Sequence, residues 1–167
     1  VDTDPELPLP ALRILLAEDS PDNCIITMAY LEDTPHRVEI AETGAIACKM
    51  FEAGHYDLVL MDRQMPVMDG LEATRYIMSH YPIPIIVISS KLNTDEINTT
   101  FLALEAGALS VLSKPYDITS SHFPAERKKI LSIMRAMSDI KVIRKRSFVK
   151  KPYSDAAVNV TPQKKKT

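Results

Sequence analysis

Between residues 12 and 138 the chain alternates short apolar runs with stretches in which apolar residues recur at helical spacing. LRILLAE (12–18), RVEIA (37–41), DLVLM (57–61), PIIVIS (84–89) and LSVLS (109–113) read as strands. Helix signals fill the intervals. Ser20-Pro21 supplies a cap and a first-turn proline, and Thr43 is placed to cap a helix that stops at Gly54. Pro66 and Gly70 turn the chain into a third helix. Asn93 and Glu96 have capping-box spacing ahead of an apolar face of Ile97, Phe101 and Leu104, and Gly107 ends that helix. A fifth helix is expected after Pro124, with Ile130, Ile133, Met134 and Met137 on one face, where the methionines serve as core. Strands alternating with helices imply a parallel sheet covered on both sides, because parallel strands need crossover helices. In open α/β sheets of this kind ligands bind beyond the carboxyl ends of the strands.

Composition narrows the setting. A length of 167 residues fits one domain, expected over 12–138, between an extended proline-rich lead-in at 1–11 and a basic linker or tail at 139–167. The linker-like ends, and a start at Val1, are those expected of a piece of a longer protein. No apolar run approaches the roughly 18 residues of a membrane span and no signal-peptide pattern opens the chain, so membrane insertion is not expected and the cytoplasm is the expected compartment. Cys24 and Cys48 sit in apolar helical patterns and read as reduced, buried thiols. His36, His55, His80 and His122 lack ligand spacing and read as surface or loop residues. The overall charge of −2 conceals 19 acids and 7 bases in residues 1–120 against 3 acids and 13 bases in 121–167. That basic end lacks a DNA-reading motif, so a solvated tail is expected and nucleic acid is not. Four glycines, at 44, 54, 70 and 107, leave no material for a glycine-rich phosphate loop.

The strand ends carry the chemistry. Strand one runs into Glu18-Asp19, strand three into Asp62, strand four into Ser89-Ser90 and strand five into Lys114-Pro115. Each is ordinary alone, as a helix entry, a turn or a strand end; their joint placement at one sheet edge is not. Three carboxylates there repel one another unless a cation offsets them, and hard oxygen ligands suit Mg²⁺, which keeps its waters and accepts phosphate oxygens. Asp62 can then act as a nucleophile toward a phosphoryl group, with Lys114 neutralising the oxygens and Ser89 donating a hydrogen bond.

AEDS at 17–20, LVLMDRQMPVMDG at 58–70, VISS at 87–90 and SKP at 113–115 resemble the receiver domain of two-component response regulators over residues 12–138. The first half, with LRILLAEDSPDN and MDRQMPVMDGLEATR, is similar to receivers of hybrid sensor kinases; the second half is similar to those of chemotaxis protein-glutamate methylesterases. The resemblance implies a flavodoxin-like, doubly wound sheet of five strands in the order 2-1-3-4-5 with five helices. It implies that Asp62 takes a phosphoryl group from a phosphohistidine on a histidine kinase or phosphotransfer protein, as a signalling step rather than enzymatic turnover, with an output domain in a longer parent chain. Asp19 and Asp62 would bind Mg²⁺ directly, Glu18 through water, and the Gln64 carbonyl would complete the set. Lys114 would pair with the phosphoryl oxygens, the Lys114-Pro115 bond would be cis, and Ser89 would move toward the phosphoryl group. Gln64 and Lys91 occupy positions that tune its lifetime. Val111 departs from the pattern: the family usually has an aromatic ring there that swings as the Ser/Thr moves, so output is expected to depend more on the backbone after Ser89 and on the helix over 93–106. Two alternatives stand beside this reading. One is a receiver-like module that binds partners without phosphorylation. The other is a phosphatase of the haloacid dehalogenase type, which places an aspartate where this chain has Gln64.

Overall fold

The computed structural model describes residues 10–90, 96–115 and 117–143. The elements run β1 (Arg13–Ala17), α1 (Pro21–Leu31), β2 (Arg37–Ala41), α2 (Gly44–Ala53), β3 (Leu58–Asp62), α3 (Gly70–His80), β4 (Ile85–Ser89), α4 (Glu96–Ala106), β5 (Ser110–Ser113) and α5 (Phe123–Ser138). All pairings are parallel, in the order β2-β1-β3-β4-β5, which is the order the family resemblance implied.

Alternate residues of the central strands face opposite layers. Leu15, Val59, Met61 and Ile85 pack with Ala47, Phe51 and Ile77 beneath α2 and α3. Ile14, Leu16, Leu58, Leu60, Ile86 and Ile88 meet Cys24, Leu31 and Met134 beneath α1 and α5. All five residues of β3 are buried, which requires the apolar run Leu58 to Met61. The edge strand β2 buries only Ala41 fully, so its mixed sequence RVEIA matches its exposure.

The caps follow the sequence. Ser20 Oγ accepts from the Asn23 amide at 3.4 Å and Thr43 Oγ1 from the Ile46 amide at 3.1 Å, while Asp69 Oδ1 adds a third cap by accepting from Glu72 at 2.8 Å. Gly107 ends α4 at φ +112°, a conformation that L side chains rarely adopt. On α5, Met134 is buried and Ile130, Ile133 and Met137 pack beside it, as expected. This helix is also tied to α1. Phe123 packs edge-on to Tyr30 at 4.8 Å, the Tyr30 hydroxyl donates to Glu126 at 3.1 Å, and the Arg127 guanidinium donates to the carbonyls of Tyr30, at 3.1 Å, and Glu32. Those carbonyls lie at the carboxyl end of α1, so Arg127 supplies the cation that a helix C-terminus favours.

Two expectations need correction. Ile97, Phe101 and Leu104 do not face the core: they are 84, 64 and 48 % exposed, and α4 instead buries Thr99, Ala103 and Ala106. The two stripes share the same spacing, and the fully buried one carries small side chains, which with the partly buried Leu102 pack against a small cluster of Leu71, Val87 and Ala108. The Lys114-Pro115 bond is trans, since the described residues contain no cis peptide; trans is the preferred form of an X-Pro bond by about 0.5–1 kcal/mol. Asn93, half of the expected capping box, and Lys91 lie outside the described residues. Both cysteines are free and buried, and burial pushes both thiols above their ordinary value, which keeps them protonated. Among the described residues no helix is long and apolar enough to cross a membrane.

Candidate functional site

Strand register brings the four expected positions together. Ala17 lies beside Met61, Asp62 beside Ile88 and Ser89 beside Ser113, so Glu18-Asp19, Asp62, Ser89 and Lys114 all stand at the carboxyl edge of the sheet. The Lys114 amide donates to the Ser89 carbonyl at 2.7 Å, which closes β4 against β5 at this level. Glu18, Asp19 and Asp62 each offer a carboxylate oxygen, and these oxygens lie within 4.8 Å of one another. Glu18 and Asp62 are buried at 1 and 2 % exposure, whereas Asp19 is exposed and opens the cluster to solvent.

Among the described residues one cation, Lys114, pairs with the two buried acids. Lys114 Nζ lies 2.8 Å from Glu18 Oε2 and 3.1 Å from Asp62 Oδ2. Burial alone would lower the lysine pKa, but the two carboxylates outweigh it and raise the value. Asp62 remains undercompensated: burial, then the Glu18 charge, push its carboxyl up to about 6 against the opposing pull of Lys114 and of the Gln64 amide, 3.4 Å from Oδ1. Glu18 Oε1 accepts from the Ser20 amide at 3.1 Å and from Asn23 Nδ2 at 3.2 Å. Its buried Oε2 has no directed hydrogen bond. The 2.8 Å contact with Lys114 therefore acts as an ion pair without hydrogen-bond geometry. A buried oxygen left in that condition, beside two more carboxylates, is a donor set that fits a small hard cation such as Mg²⁺.

The remaining expected residues are placed as follows. Gln64 is exposed two positions past Asp62, with its amide turned to the carboxylate. The Ser89 hydroxyl, partly exposed, donates to the Ser90 carbonyl at 3.5 Å. Val111 is half-buried against Leu71, Val87, Ala103 and Ala108 under α4.

Three features were missed in the sequence. Asn23 orients Glu18 from the first turn of α1, and only its spacing of five from that glutamate signals the role. Gly70 donates its amide to the Arg63 carbonyl at 3.0 Å and passes so close to Asp62 that a Cβ at 70 would overlap the Asp62 carbonyl oxygen. Arg63 donates from Nη1 to Thr99 Oγ1 on α4 at 2.7 Å, a contact that no local pattern announces. Between them, Val67 is held at φ +70° in a tight turn closed by the Met68 amide on the Pro66 carbonyl at 2.8 Å, and it is 91 % exposed. A β-branched residue in that region stores strain beside the site.

Comparison with known proteins agrees with this geometry. A family model described as the response regulator receiver domain matches residues 14–122. A protein-glutamate methylesterase/protein-glutamine glutaminase of Myxococcus xanthus is 40% identical over 136 residues, covering 80% of this chain and 38% of that protein. The aerobic respiration control sensor protein ArcB of Escherichia coli is 38% identical over 117 residues, covering 68% of this chain and 14% of its own length. The chain thus spans well under half of the curated relatives it matches. Among solved structures, the response regulator domain of Thermotoga maritima CheB superposes with a TM-score of 0.67 at 26% identity, covering 78% of this chain and 98% of that one. The receiver domain of a sensor histidine kinase from Pseudomonas aeruginosa, with magnesium coordinated in its active-site cleft, gives 0.62 at 31% identity, over 77% and 98%. Both likenesses expected from the sequence, to methylesterase and to sensor-kinase receivers, are therefore present.

Proposed function

The chain belongs to the response regulator receiver domain family of two-component signalling, and from that premise we propose that Asp62 is its phosphoacceptor. The observation that supports this most directly is the buried Asp62 carboxylate, clustered with Glu18 and Asp19 and bridged to Glu18 by Lys114. In the proposed step an Asp62 carboxylate oxygen attacks the phosphorus of a phosphohistidine on a partner kinase or phosphotransfer protein. The new O–P bond forms as the N–P bond breaks, and the imidazole leaves with the electron pair and takes up a proton.

The chain's residues prepare that step. Lys114, 3.1 Å from Asp62 Oδ2, offsets developing charge on the phosphoryl oxygens. Glu18, Asp19, Asp62 and the Gln64 carbonyl would hold Mg²⁺, which when bound supplies neutralisation of the phosphoryl oxygens; Asn23 and the Ser20 amide keep Glu18 aimed at that place. Ser89, at the neighbouring strand end, donates its hydroxyl to the phosphoryl group, and the exposed Gln64 sets how readily water reaches it. Lys91 shares that role. The methylesterase and glutaminase activities named for the relatives belong to proteins of which this chain covers 38 to 44%, and here an output domain of that kind is proposed as the receiver's partner, within or beyond the same chain.

Intact-mass measurement after incubation with Mg²⁺ and acetyl phosphate tests the assignment. The expected result is a gain of one phosphoryl group in the parent, none in Asp62→Asn, and slow loss afterwards. No gain in the parent, or an equal gain in the variant, would refute it.

A further inference from the structure

Asp62 and α4 are joined through the residue that follows Asp62 in the chain. Val111 has no ring to swing, yet the residue that follows Asp62 reaches α4 directly, through the Arg63 Nη1 donation to Thr99 Oγ1 at 2.7 Å. Arg63 is fixed at its backbone, where its amide donates to the Ile88 carbonyl at 3.0 Å and its carbonyl accepts from Gly70 at 3.0 Å. A shift of the chain at Asp62 is therefore passed to β4, to the start of α3 and, through the side chain, to α4.

The helix at the far end is seated mainly by small side chains. Its fully buried residues are Thr99, Ala103 and Ala106, with Leu102 partly buried beside them, while Ile97, Phe101 and Leu104 point outward. Small side chains bury little area, so one charge-assisted hydrogen bond to a buried hydroxyl weighs heavily in positioning α4. The same bond responds to charge. A guanidinium is permanently charged, and its bond to a neutral hydroxyl competes with any stronger anionic acceptor that arises nearby. A phosphoryl group on Asp62 raises the negative charge one residue away, which supplies the difference between states that coupling requires.

We propose that Arg63 is a positioning residue that couples Asp62 to α4 through its hydrogen bond to Thr99, in the place of the missing ring at position 111. This rests on the reading of Asp62 as phosphoacceptor. The consequence is that charge at Asp62 weakens the Arg63 to Thr99 bond and releases α4, whose outward apolar stripe then changes its disposition.

The test follows backbone amide shifts of residues 96–106 while Mg²⁺ and beryllium trifluoride, a phosphoryl mimic, are titrated into the parent, Arg63→Ala, Thr99→Val and Thr99→Ser. The mimic should saturate all four proteins. The α4 response should fall to under half of the parent's in Arg63→Ala and Thr99→Val and persist in Thr99→Ser, which keeps the acceptor oxygen. A full response in Arg63→Ala and Thr99→Val, or an equal loss in Thr99→Ser, overturns the coupling. Should Arg63→Ala fail to fold, the two Thr99 variants decide the question alone. A parent that takes up no mimic refutes the phosphoacceptor reading instead, so the two failures are distinct.

Discussion

The helices α5 and α4 flank the same strand, β5, and are attached to the molecule in opposite ways. α5 is pinned by a buried methionine, an aromatic pair, a tyrosine hydroxyl and an arginine that caps α1. α4 buries alanines and one threonine, with Leu102 partly buried beside them, and Arg63 adds a polar tie. Around one charged cluster, one helix is therefore fixed by several large side chains and the other is seated mainly by small ones.

The largest expected effect tests whether the cluster between these helices is held by charge balance. Lys114→Met leaves Glu18 and Asp62 buried without their cation and should cost on the order of 3 kcal/mol at pH 7, with part recovered on adding Mg²⁺. Urea denaturation with and without the metal measures both numbers, and an unchanged midpoint would show that the acids are not strained.

The contrast between helices comes next. Arg127→Ala removes the cap on α1 and should cost about 1–2 kcal/mol by the same measurement, whereas Phe101→Ala on the exposed stripe of α4 should stay within about 0.5 kcal/mol. Comparable losses at the two positions would erase the distinction between a pinned and a lightly seated helix.

Asp62→Asn should gain stability, on the order of 1–2 kcal/mol at pH 7 without divalent cation. Its direction is set by linkage. The folded carboxyl titrates near 6 against an ordinary 3.8, so between those values the native protein holds a proton the unfolded chain has released. Stability contributed by this group is complete below about pH 4 and is lost as pH rises through 6. The advantage of the amide should accordingly vanish by pH 4, and a variant less stable than the parent at pH 7 contradicts the raised value. Smallest of all, Val67→Gly should raise stability by less than about 1 kcal/mol, since relief of the strained turn is partly offset by glycine's greater freedom when unfolded.

Much of this was legible in the chain because the central strands are continuous apolar runs that stop on charge. Asp62 follows Met61 directly, and Glu18-Asp19 follows Ala17, so the sheet edge and its acids could be read together. The face of α4 could not. Ile97, Phe101 and Leu104 have the same spacing as Thr99, Ala103 and Ala106, and periodicity marks a stripe without saying how much room lies opposite it. The ties made by Asn23 and Arg63 were hidden for different reasons. Asn23 also reads as an ordinary residue of a helix's first turn, and Arg63 meets Thr99 across 36 positions of sequence, a distance no local pattern spans.

Gly70 turns this architecture into a point of vulnerability that a search confined to charged groups overlooks. Its missing side chain is the space the Asp62 carbonyl occupies, so a single methyl at position 70 must push the Asp62 backbone aside while leaving every acid, the lysine and the net charge untouched. An alanine there should disturb the site without altering its charges, and in a natural variant it would read as conservative while displacing the strand end that carries Asp62.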